Sequence, residues 1–261
     1  MMPSEHSGFR QRFQEGQILI GSFLKIAQTM PAEILGTLGY DFVVVDEEHG
    51  ALNRESTDHI LLACRAHGIG GLVRVPSADP AGIQSVLDCG GDGVLVPHVD
   101  SAEKARAIVA AARYRGGMRG YSSTTRAGDF GGRSIAQHLD EQDTRATVIA
   151  MIEDPHALDA LDEILAVEGL DGVFIGRGDL TVAYGEVKGG SAPVKAATEA
   201  ITAAARAAGK PICVMASGPE DAAALAAQGA TAFIVSSDQT FLRKAAAATL
   251  TETRTALQTT R

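Results

Sequence analysis

The chain lacks tryptophan altogether, and it has only three cysteines and 5% aromatic residues among its 261 residues. No window approaches the run of about 18 apolar residues that a membrane span needs, and the polar N-terminus has no apolar signal segment. Cys64, Cys89 and Cys213 have no metal-ligand spacing and lie in apolar patterns typical of buried thiols. These absences predict a soluble, unexported protein of the reducing cytoplasm.

Basic residues are also few, because 23 Lys and Arg stand against 32 Asp and Glu, giving a net charge of -9. No clustered Lys/Arg stripe is available to neutralise phosphates, so neither nucleic acid nor a membrane surface is expected as a partner. The apolar fraction of 45% can bury a sizeable core, and 29 glycines suit many short turns. The composition is therefore that of a globular protein.

Apolar runs and helical patterns alternate along most of the chain. The predicted strands lie at 18–24, 42–46, 72–75, 94–99, 148–152, 172–179, 212–216 and 233–237. The predicted helices lie at 31–38, 53–68, 79–90, 101–112, 154–165, 193–208 and 219–228, and from 238 onward. Continuously apolar strands separated by helices require a parallel sheet covered on its outer face. Eight βα units predict a single-domain (β/α)8 TIM barrel over residues 1–261.

One segment, residues 113–143, interrupts this alternation. Its periodicity fails and it is rich in glycine, so it is predicted to be a long loop. Loops of this length are usually functional or disordered. The stretch Thr124-Thr125-Arg126-Ala127-Gly128 within it is a candidate lid, with an ordinary surface excursion as the alternative.

Active sites of such barrels lie at the C-terminal ends of the strands, so ionisable residues there carry the chemistry. Glu153 follows the fifth strand and Asp179 ends the sixth, which would bring both carboxylates to one rim. Two oxygen ligands suit Mg²⁺, Mn²⁺ or Co²⁺ with positions left for water and a chelating substrate. The alternative is that one acid caps a helix or pairs with a barrel arginine.

Two further residues stand at strand ends. His49 follows Asp46-Glu47-Glu48 after the second strand, where an imidazole could transfer protons; a structural histidine is the alternative. Arg74 lies in an otherwise apolar strand, and a buried guanidinium needs a partner. That partner is either a structural carboxylate or a substrate oxygen that gains negative charge.

Several motifs together resemble those of one enzyme family. They are Phe42-Val43-Val44-Val45-Asp46-Glu47-Glu48-His49-Gly50, Val73-Arg74-Val75-Pro76, Val86-Leu87-Asp88-Cys89-Gly90 and Gly172-Val173-Phe174-Ile175-Gly176. In this order and spacing the chain resembles the class II, metal-dependent pyruvate aldolases of the 4-hydroxy-2-oxoheptanedioate aldolase and 2-dehydro-3-deoxyglucarate aldolase type.

The resemblance implies a carbon-carbon lyase that reversibly cleaves a 4-hydroxy-2-oxo acid to pyruvate and an aldehyde through a metal-stabilised enolate. It needs a divalent metal, no organic cofactor and no Schiff-base lysine, and lysine is judged absent from the strand ends. The implied assignments are metal binding by Glu153 and Asp179, enolate stabilisation by Arg74, proton transfer by His49, tuning of His49 by Asp88, and carboxylate binding by the turn from Gly176 through Gly178 to Asp179. It also implies a homo-oligomer, a hexamer or trimer, with the C-terminal helix exchanged and Asp88 acting across a subunit boundary.

Two positions depart from the family pattern. Met151 stands where many relatives carry glutamine, and Arg177-Gly178 replaces a proline-containing pair before Asp179. Both are expected to touch the substrate pocket. The remaining alternatives are a citrate-lyase-like enzyme acting on a larger acid or acyl-CoA, and a non-catalytic oligomer that binds a keto acid.

Overall fold

Eight parallel strands close into a barrel in their sequence order. The computed structural model describes residues 8–188 and 190–259. The strands are β1 (Leu19–Leu24), β2 (Phe42–Asp46), β3 (Gly70–Arg74), β4 (Gly93–Val96), β5 (Thr147–Ile152), β6 (Gly172–Ile175), β7 (Ile212–Ala216) and β8 (Ala232–Ser237). Each strand pairs with the next, and β8 pairs with β1. The predicted TIM barrel is therefore confirmed.

Helices surround the barrel. They are α1 (Phe9–Gln14), α2 (Met30–Thr37), α3 (Arg54–His67), α4 (Pro80–Asp88), α5 (Ala102–Ala112), α6 (Ile135–Arg145), α7 (Leu161–Leu165), α8 (Arg177–Ala183), α9 (Ala192–Ala207), α10 (Pro219–Gln228) and α11 (Asp238–Thr259). Sequence determines where several begin: Asn53 and Ser56 form a capping box for α3, and Asp79 accepts the Gly82 amide at the start of α4. Among the described residues, none of these helices has the length and apolar character needed to cross a bilayer.

The apolar residues form two layers, because successive side chains of a strand point to opposite faces. Phe42 and Val44 of β2 belong to the cluster that fills the barrel, whereas Val43 and Val45 belong to the cluster between strands and helices. The strands are buried on both faces, which explains their continuously apolar sequences.

Helix α1, which was not predicted from the sequence, closes the N-terminal end of the barrel. Its residues Phe9 and Phe13 are buried, and the ring of Phe9 lies 5.1 Å from that of Phe42. Gly70 and Gly172 make room for them, since a Cβ at either position would lie within 3.0 Å of a phenylalanine ring. The functional groups therefore gather at the opposite end.

The prediction of a loop over 113–143 is wrong in part. The segment contains a 3-10 helix, Arg126–Gly131, and most of α6, which begins at a capping box formed by Ser134 and Gln137. The inward face of α6 buries His138 and Gln142, which are polar, so the apolar periodicity that marks a helix is missing.

Candidate active site

Asp46 and Arg74 occupy adjacent inward-facing positions at the C-terminal ends of β2 and β3. They are partners in the strand register, and each lies two residues beyond a residue of the barrel interior, Val44 and Leu72. Strand alternation therefore directs both side chains toward the barrel axis. Asp46 is fully buried and Arg74 nearly so.

The partner of Arg74 is a carboxylate. Its Nε and Nη2 donate to the two carboxylate oxygens of Asp46 over 2.9 and 2.8 Å, and its Nε also lies 3.2 Å from Oε2 of Glu48. The guanidinium stacks over Phe23 at 4.8 Å from the ring centroid. Burial alone would raise the pKa of Asp46, but the hydrogen bonds and charge of Arg74 outweigh it, so the pKa lies below its ordinary value. Asp46 is held ionised.

Lysine is present at the strand ends, contrary to the expectation from the sequence. Lys25 is the first residue after β1, and its Nζ lies 3.0 Å from Oδ2 of Asp46. The apolar run that marks β1 in the sequence ends at residue 24, so the strand pattern does not include the next side chain. A signal was available, because the residue directly after a barrel strand faces the mouth.

A second buried carboxylate, Glu153, follows β5 directly. It is 2% exposed, and its Oε1 accepts the backbone N–H of His98 over 2.8 Å. Burial raises the pKa of Glu153 to about 7, and the adjacent Asp179 carboxylate adds to this rise. No Lys or Arg within residues 8–188 and 190–259 forms an ion pair with Glu153. The two carboxyl groups therefore lie close enough to interact, as the sequence predicts, and their shared metal site stays a prediction.

Gly176 allows Glu153 to occupy this position. A Cβ on Gly176 would lie 2.4 Å from the Glu153 Cβ and 2.7 Å from its Oε2, which is closer than atoms can approach. The Gly176 amide donates to the carbonyl of Ile152 over 3.0 Å. The Gly176 amide is therefore used within the sheet, and the expectation that amides of the Gly176 to Asp179 turn hold a substrate carboxylate stays a prediction for the amides after Gly176.

The sequence pattern predicts that Asp179 ends the sixth strand, and this prediction is wrong. Strand β6 stops at Ile175, and Asp179 lies in the first turn of α8, where it is exposed. The preceding Arg177 forms an ion pair with Asp221 of α10 at 2.8 Å. The pair Arg177-Gly178 thus begins a helix and is fixed to its neighbour, so it is not a flexible turn.

His98, for which the sequence predicts no function, lies beside Glu153 and Asp154. Its φ of 54° is in the left-handed region, which is uncommon for a residue with a side chain, and this backbone donates to Glu153. Its Nδ1 lies 3.0 Å from Oδ2 of Asp154. Sequence offered no signal for this contact, because it depends on a backbone conformation.

Asp100, Asp154 and His156 form a second group of metal-type ligands at the same rim, with ligand atoms within 4.8 Å of one another. A cation already lies there, since Lys104 Nζ is 2.7 Å from Oδ2 of Asp100. His156 Nε2 lies 3.2 Å from the same oxygen. The group is therefore already partly neutralised, unlike Glu153 and Asp179.

The structure places His49 and Asp88, two further residues predicted to be catalytic, apart from each other. His49 is at the mouth, where its backbone N–H donates to Asp46 and its half-exposed ring lies 3.7 Å from Glu48. Asp88 ends α4 and pairs with Arg119 at 3.0 Å. Since α4 runs back toward the start of β4, its C-terminus lies at the closed end of the barrel. Within one chain, Asp88 therefore does not contact His49.

The two departures from the family pattern differ in position. Met151 is fully buried and belongs to the cluster inside the barrel, where it pairs in register with Phe174. Gly178 is exposed, and a Cβ there would find no atom within 4 Å. Their predicted contacts with substrate remain predictions.

An HpcH/HpaI aldolase/citrate lyase family profile matches residues 19–245. The 5-keto-4-deoxy-D-glucarate aldolase of Shigella dysenteriae serotype 1 (strain Sd197) is 34% identical over 91% of this chain and 93% of its own. An HpcH/HpaI aldolase/citrate lyase family protein from Burkholderia cenocepacia J2315 is 27% identical, with a TM-score of 0.89 over 94% of this chain and 98% of that chain. The citrate synthase SbnG is 31% identical, with a TM-score of 0.87 over 95% and 98% of the two chains.

The chain belongs to the HpcH/HpaI aldolase/citrate lyase family. The resemblance seen in the sequence is thereby confirmed, as is the prediction of a pyruvate-aldolase type of lyase at the level of the family.

Proposed function

We propose that this protein is a divalent-metal-dependent aldolase that reversibly cleaves a 4-hydroxy-2-oxo acid to pyruvate and an aldehyde. The observation that carries the proposal is the pair Glu153 and Asp179. A buried carboxyl whose pKa is raised to about 7 beside a second carboxylate, with no Lys or Arg ion-paired to it among the described residues, is a site that favours an added cation.

Glu153 and Asp179 would hold the metal, and their oxygen atoms fit Mg²⁺, Mn²⁺ or Co²⁺. The bound cation would supply Lewis-acid stabilisation of negative charge on the keto oxygen of the substrate. Glu153 is positioned for this by the His98 amide on one oxygen and by the space that Gly176 leaves. Asp179 is exposed in the first turn of α8 and reaches the same rim.

Arg74 would place positive charge near the oxygen that becomes negative during cleavage. Its Nε and Nη2 are used by Asp46, which leaves Nη1 outside that bidentate pair. The stacking on Phe23 further restricts the guanidinium. A preorganised donor of this kind stabilises the transition state more than the ground state.

His49 would accept the proton that the C4 hydroxyl of the 4-hydroxy-2-oxo acid loses on cleavage, and would return it to the carbonyl oxygen of the aldehyde on addition. The ring is half exposed at the mouth and so can reach both substrate and water. Asp88 lies too far away in the same chain, so its proposed tuning of His49 requires a second subunit.

We also propose that the chain forms a homo-oligomer, a hexamer or trimer, through an exchanged α11. Within α11, only Asp238 is buried, and Leu242, Leu250 and Leu257 are exposed along its length. A 22-residue helix that exposes three leucines along its length favours a partner surface. Light scattering after chromatography should give a trimeric or hexameric mass, and a Leu250→Glu/Leu257→Glu variant should give a smaller one. A monomeric wild-type protein would overturn both the assembly and the Asp88 assignment.

We propose that the small-molecule partners are pyruvate, an aldehyde and a divalent metal, and that no organic cofactor is needed. The protein would act in the cytoplasm. The similarity to a citrate synthase favours one second candidate, carbon-carbon bond formation on a larger acid at the same site. The −9 net charge gives no basic entrance for a CoA ester, so the aldolase remains the preferred proposal.

The direct test is pyruvate formation from a panel of 4-hydroxy-2-oxo acids with Mg²⁺, Mn²⁺ or Co²⁺. Activity should vanish with EDTA and fall by more than about 100-fold in Glu153→Ala, beyond the usual effect of a residue that only supports a metal ligand. Asp100→Asn, in the other acidic group, is the matched control and should retain activity. Turnover that survives both EDTA and Glu153→Ala would contradict the proposal, and cleavage of citrate or acyl-CoA substrates alone would favour the second candidate.

A further inference from the structure

Lys25 is a charged residue at the barrel mouth whose contacts suggest a function of its own. Its Nζ lies 3.0 Å from Oδ2 of Asp46, the same oxygen that accepts Nη2 of Arg74 over 2.8 Å. Asp46 is fully buried, whereas the Lys25 side chain is 25% exposed. Lys25 and Arg74 therefore share the buried carboxylate of Asp46, and Lys25 is the more solvent-exposed of the two cations.

The backbone of Lys25 is held in place from a distant part of the chain. The amides of Lys25 and Ile26 donate to the carboxylate of Asp238 over 2.9 to 3.1 Å. Asp238 is buried, begins α11 and also accepts the amide of Gln239. Three backbone donors on one carboxylate fix the turn after β1, so the direction from which Lys25 approaches Asp46 is set by the fold.

The charges around Arg74 show what Lys25 adds. Arg74 contacts two carboxylates, Asp46 at 2.8 Å and Glu48 at 3.2 Å. One guanidinium between two carboxylates leaves a net negative charge, which would oppose charge developing on a substrate oxygen. The ammonium of Lys25 brings the group of four to neutrality, with two cations and two anions.

We infer that Lys25 is a positioning residue for the proposed aldol cleavage: it holds Asp46 and cancels the excess negative charge around Arg74, so that Arg74 can stabilise a substrate oxygen. This inference rests on the function proposed for Arg74. It assigns Lys25 a charge and no covalent step. A salt-bridged ammonium has no lone pair with which to attack a keto carbon, so a lysine at this strand end does not make the protein a Schiff-base aldolase.

The test measures enolisation separately from carbon-carbon cleavage. Hydrogen exchange at C3 of pyruvate in D₂O, followed by NMR with Mg²⁺, reports enolate formation alone. Lys25→Met should lower both the exchange rate and kcat by roughly 10 to 100-fold, with KM and Mn²⁺ affinity changed less than about threefold, as expected for a group that supports a charge-stabilising donor. Lys25→Arg, which keeps the charge, should recover most of the loss. Lys195→Met, an exposed lysine of α9, is the control and should match wild type.

A second variant keeps the charge and disturbs its placement. Asp238→Ala removes the acceptor for the Lys25 and Ile26 amides, so it should lower exchange in the same direction. The double variant Lys25→Met/Asp238→Ala should lose less exchange activity than the sum of the two single losses, measured as free energies. Both substitutions act through the same Lys25 ammonium. Folding of each variant is checked by circular dichroism, and Lys25→Arg provides the comparison if Lys25→Met fails to fold.

The outcomes separate this inference from the proposed function. If wild type exchanges C3 hydrogens and Lys25→Met does so equally, or if Lys25→Arg recovers nothing, Lys25 has only a structural contact. If wild type exchanges none with any of the three metals, the aldolase proposal fails and the inference falls with it. Reduction with borohydride in the presence of pyruvate should leave the intact mass unchanged; a pyruvate adduct on Lys25 would overturn the charge assignment.

Discussion

The barrel mouth has two halves that treat a buried carboxyl in opposite ways. Over β1 to β3, which we call the paired half, Asp46 is surrounded by Arg74, Lys25 and Glu48, and its pKa lies below the ordinary value. Over β4 to β6, the acidic half, Glu153 lies near Asp154 and Asp179 with His98 as neighbour. There burial raises the pKa of Glu153 to about 7.

The two halves differ in how much positive charge the protein itself places beside a buried carboxyl group. Burying an ionised carboxylate is costly unless a positive charge accompanies it. The protein supplies that charge for Asp46 from its own side chains. For Glu153 it supplies one backbone amide and a half-exposed histidine, and in the proposed function a divalent cation from solution supplies the remaining positive charge.

The largest expected effect comes from breaking the paired half. Asp46→Asn would leave Arg74 buried without its bidentate acceptor, and removing one member of a buried ion pair costs about 3 to 5 kcal/mol. Urea unfolding at pH 8 should show a loss of this size. A loss below about 1 kcal/mol would mean that solvent already screens the pair, and the contrast between the halves would disappear.

The contribution of Glu153, in the acidic half, to the free energy of unfolding should change with pH in the direction opposite to that of Asp46. A folded-state pKa raised from 4.5 to about 7 means that the folded protein binds the Glu153 proton more tightly than the unfolded chain does. Stability from this group is fully present below pH 4.5 and is lost as pH rises through about 7, a change of roughly 3 kcal/mol.

In EDTA, Glu153→Gln should therefore become more stable than wild type as pH rises from 4.5 to 8. Asp46, with its lowered pKa, gives the reverse slope, because its contribution is present above its ordinary value of 3.8 and is lost as pH falls. Parallel unfolding curves for wild type and Glu153→Gln at all pH values would contradict the assignment of the raised pKa.

A smaller effect comes from displacing Glu153 without changing its charge. Gly176→Ala places a Cβ 2.4 Å from the Cβ of Glu153, so the carboxylate must move. Cleavage activity and Mn²⁺ affinity should fall by about 10 to 100-fold, as for other supports of a metal ligand. Gly218→Ala, where a Cβ would meet no atom within 4 Å, should match wild type. Equal behaviour of the two variants would show that Glu153 need not be held so closely.

The smallest effect is expected at Arg177, next to the acidic half. Its ion pair with Asp221 is partly exposed, and such pairs are worth about 0 to 1 kcal/mol. Arg177→Ala should change Mn²⁺ affinity and kcat less than about twofold, as measured by steady-state kinetics. The expectation from the sequence that Arg177-Gly178 touches the substrate pocket predicts the opposite result, a large rise in KM.

Much of this arrangement could be predicted from the sequence, because apolar runs, caps and strand-end acids are local signals. The barrel, Glu153 beside Asp179, and the need of Arg74 for a partner followed from such signals. The identity of that partner, Asp46, could not be chosen, since three acids follow one another after β2. His98 depends on a left-handed backbone, and α6 hides its helical pattern behind polar buried residues. Lys25 directly follows an apolar strand, and that position alone predicts a place at the barrel mouth.

Binding of the divalent cation by Glu153 and Asp179 can be measured by calorimetric titration of Mn²⁺ into wild type, Glu153→Gln and His156→Ala. We expect one site per chain in wild type and in His156→Ala, and loss of that site in Glu153→Gln. Binding that survives Glu153→Gln and disappears in His156→Ala would place the cation at Asp100, Asp154 and His156 instead, and would refute the metal site at Glu153 and Asp179.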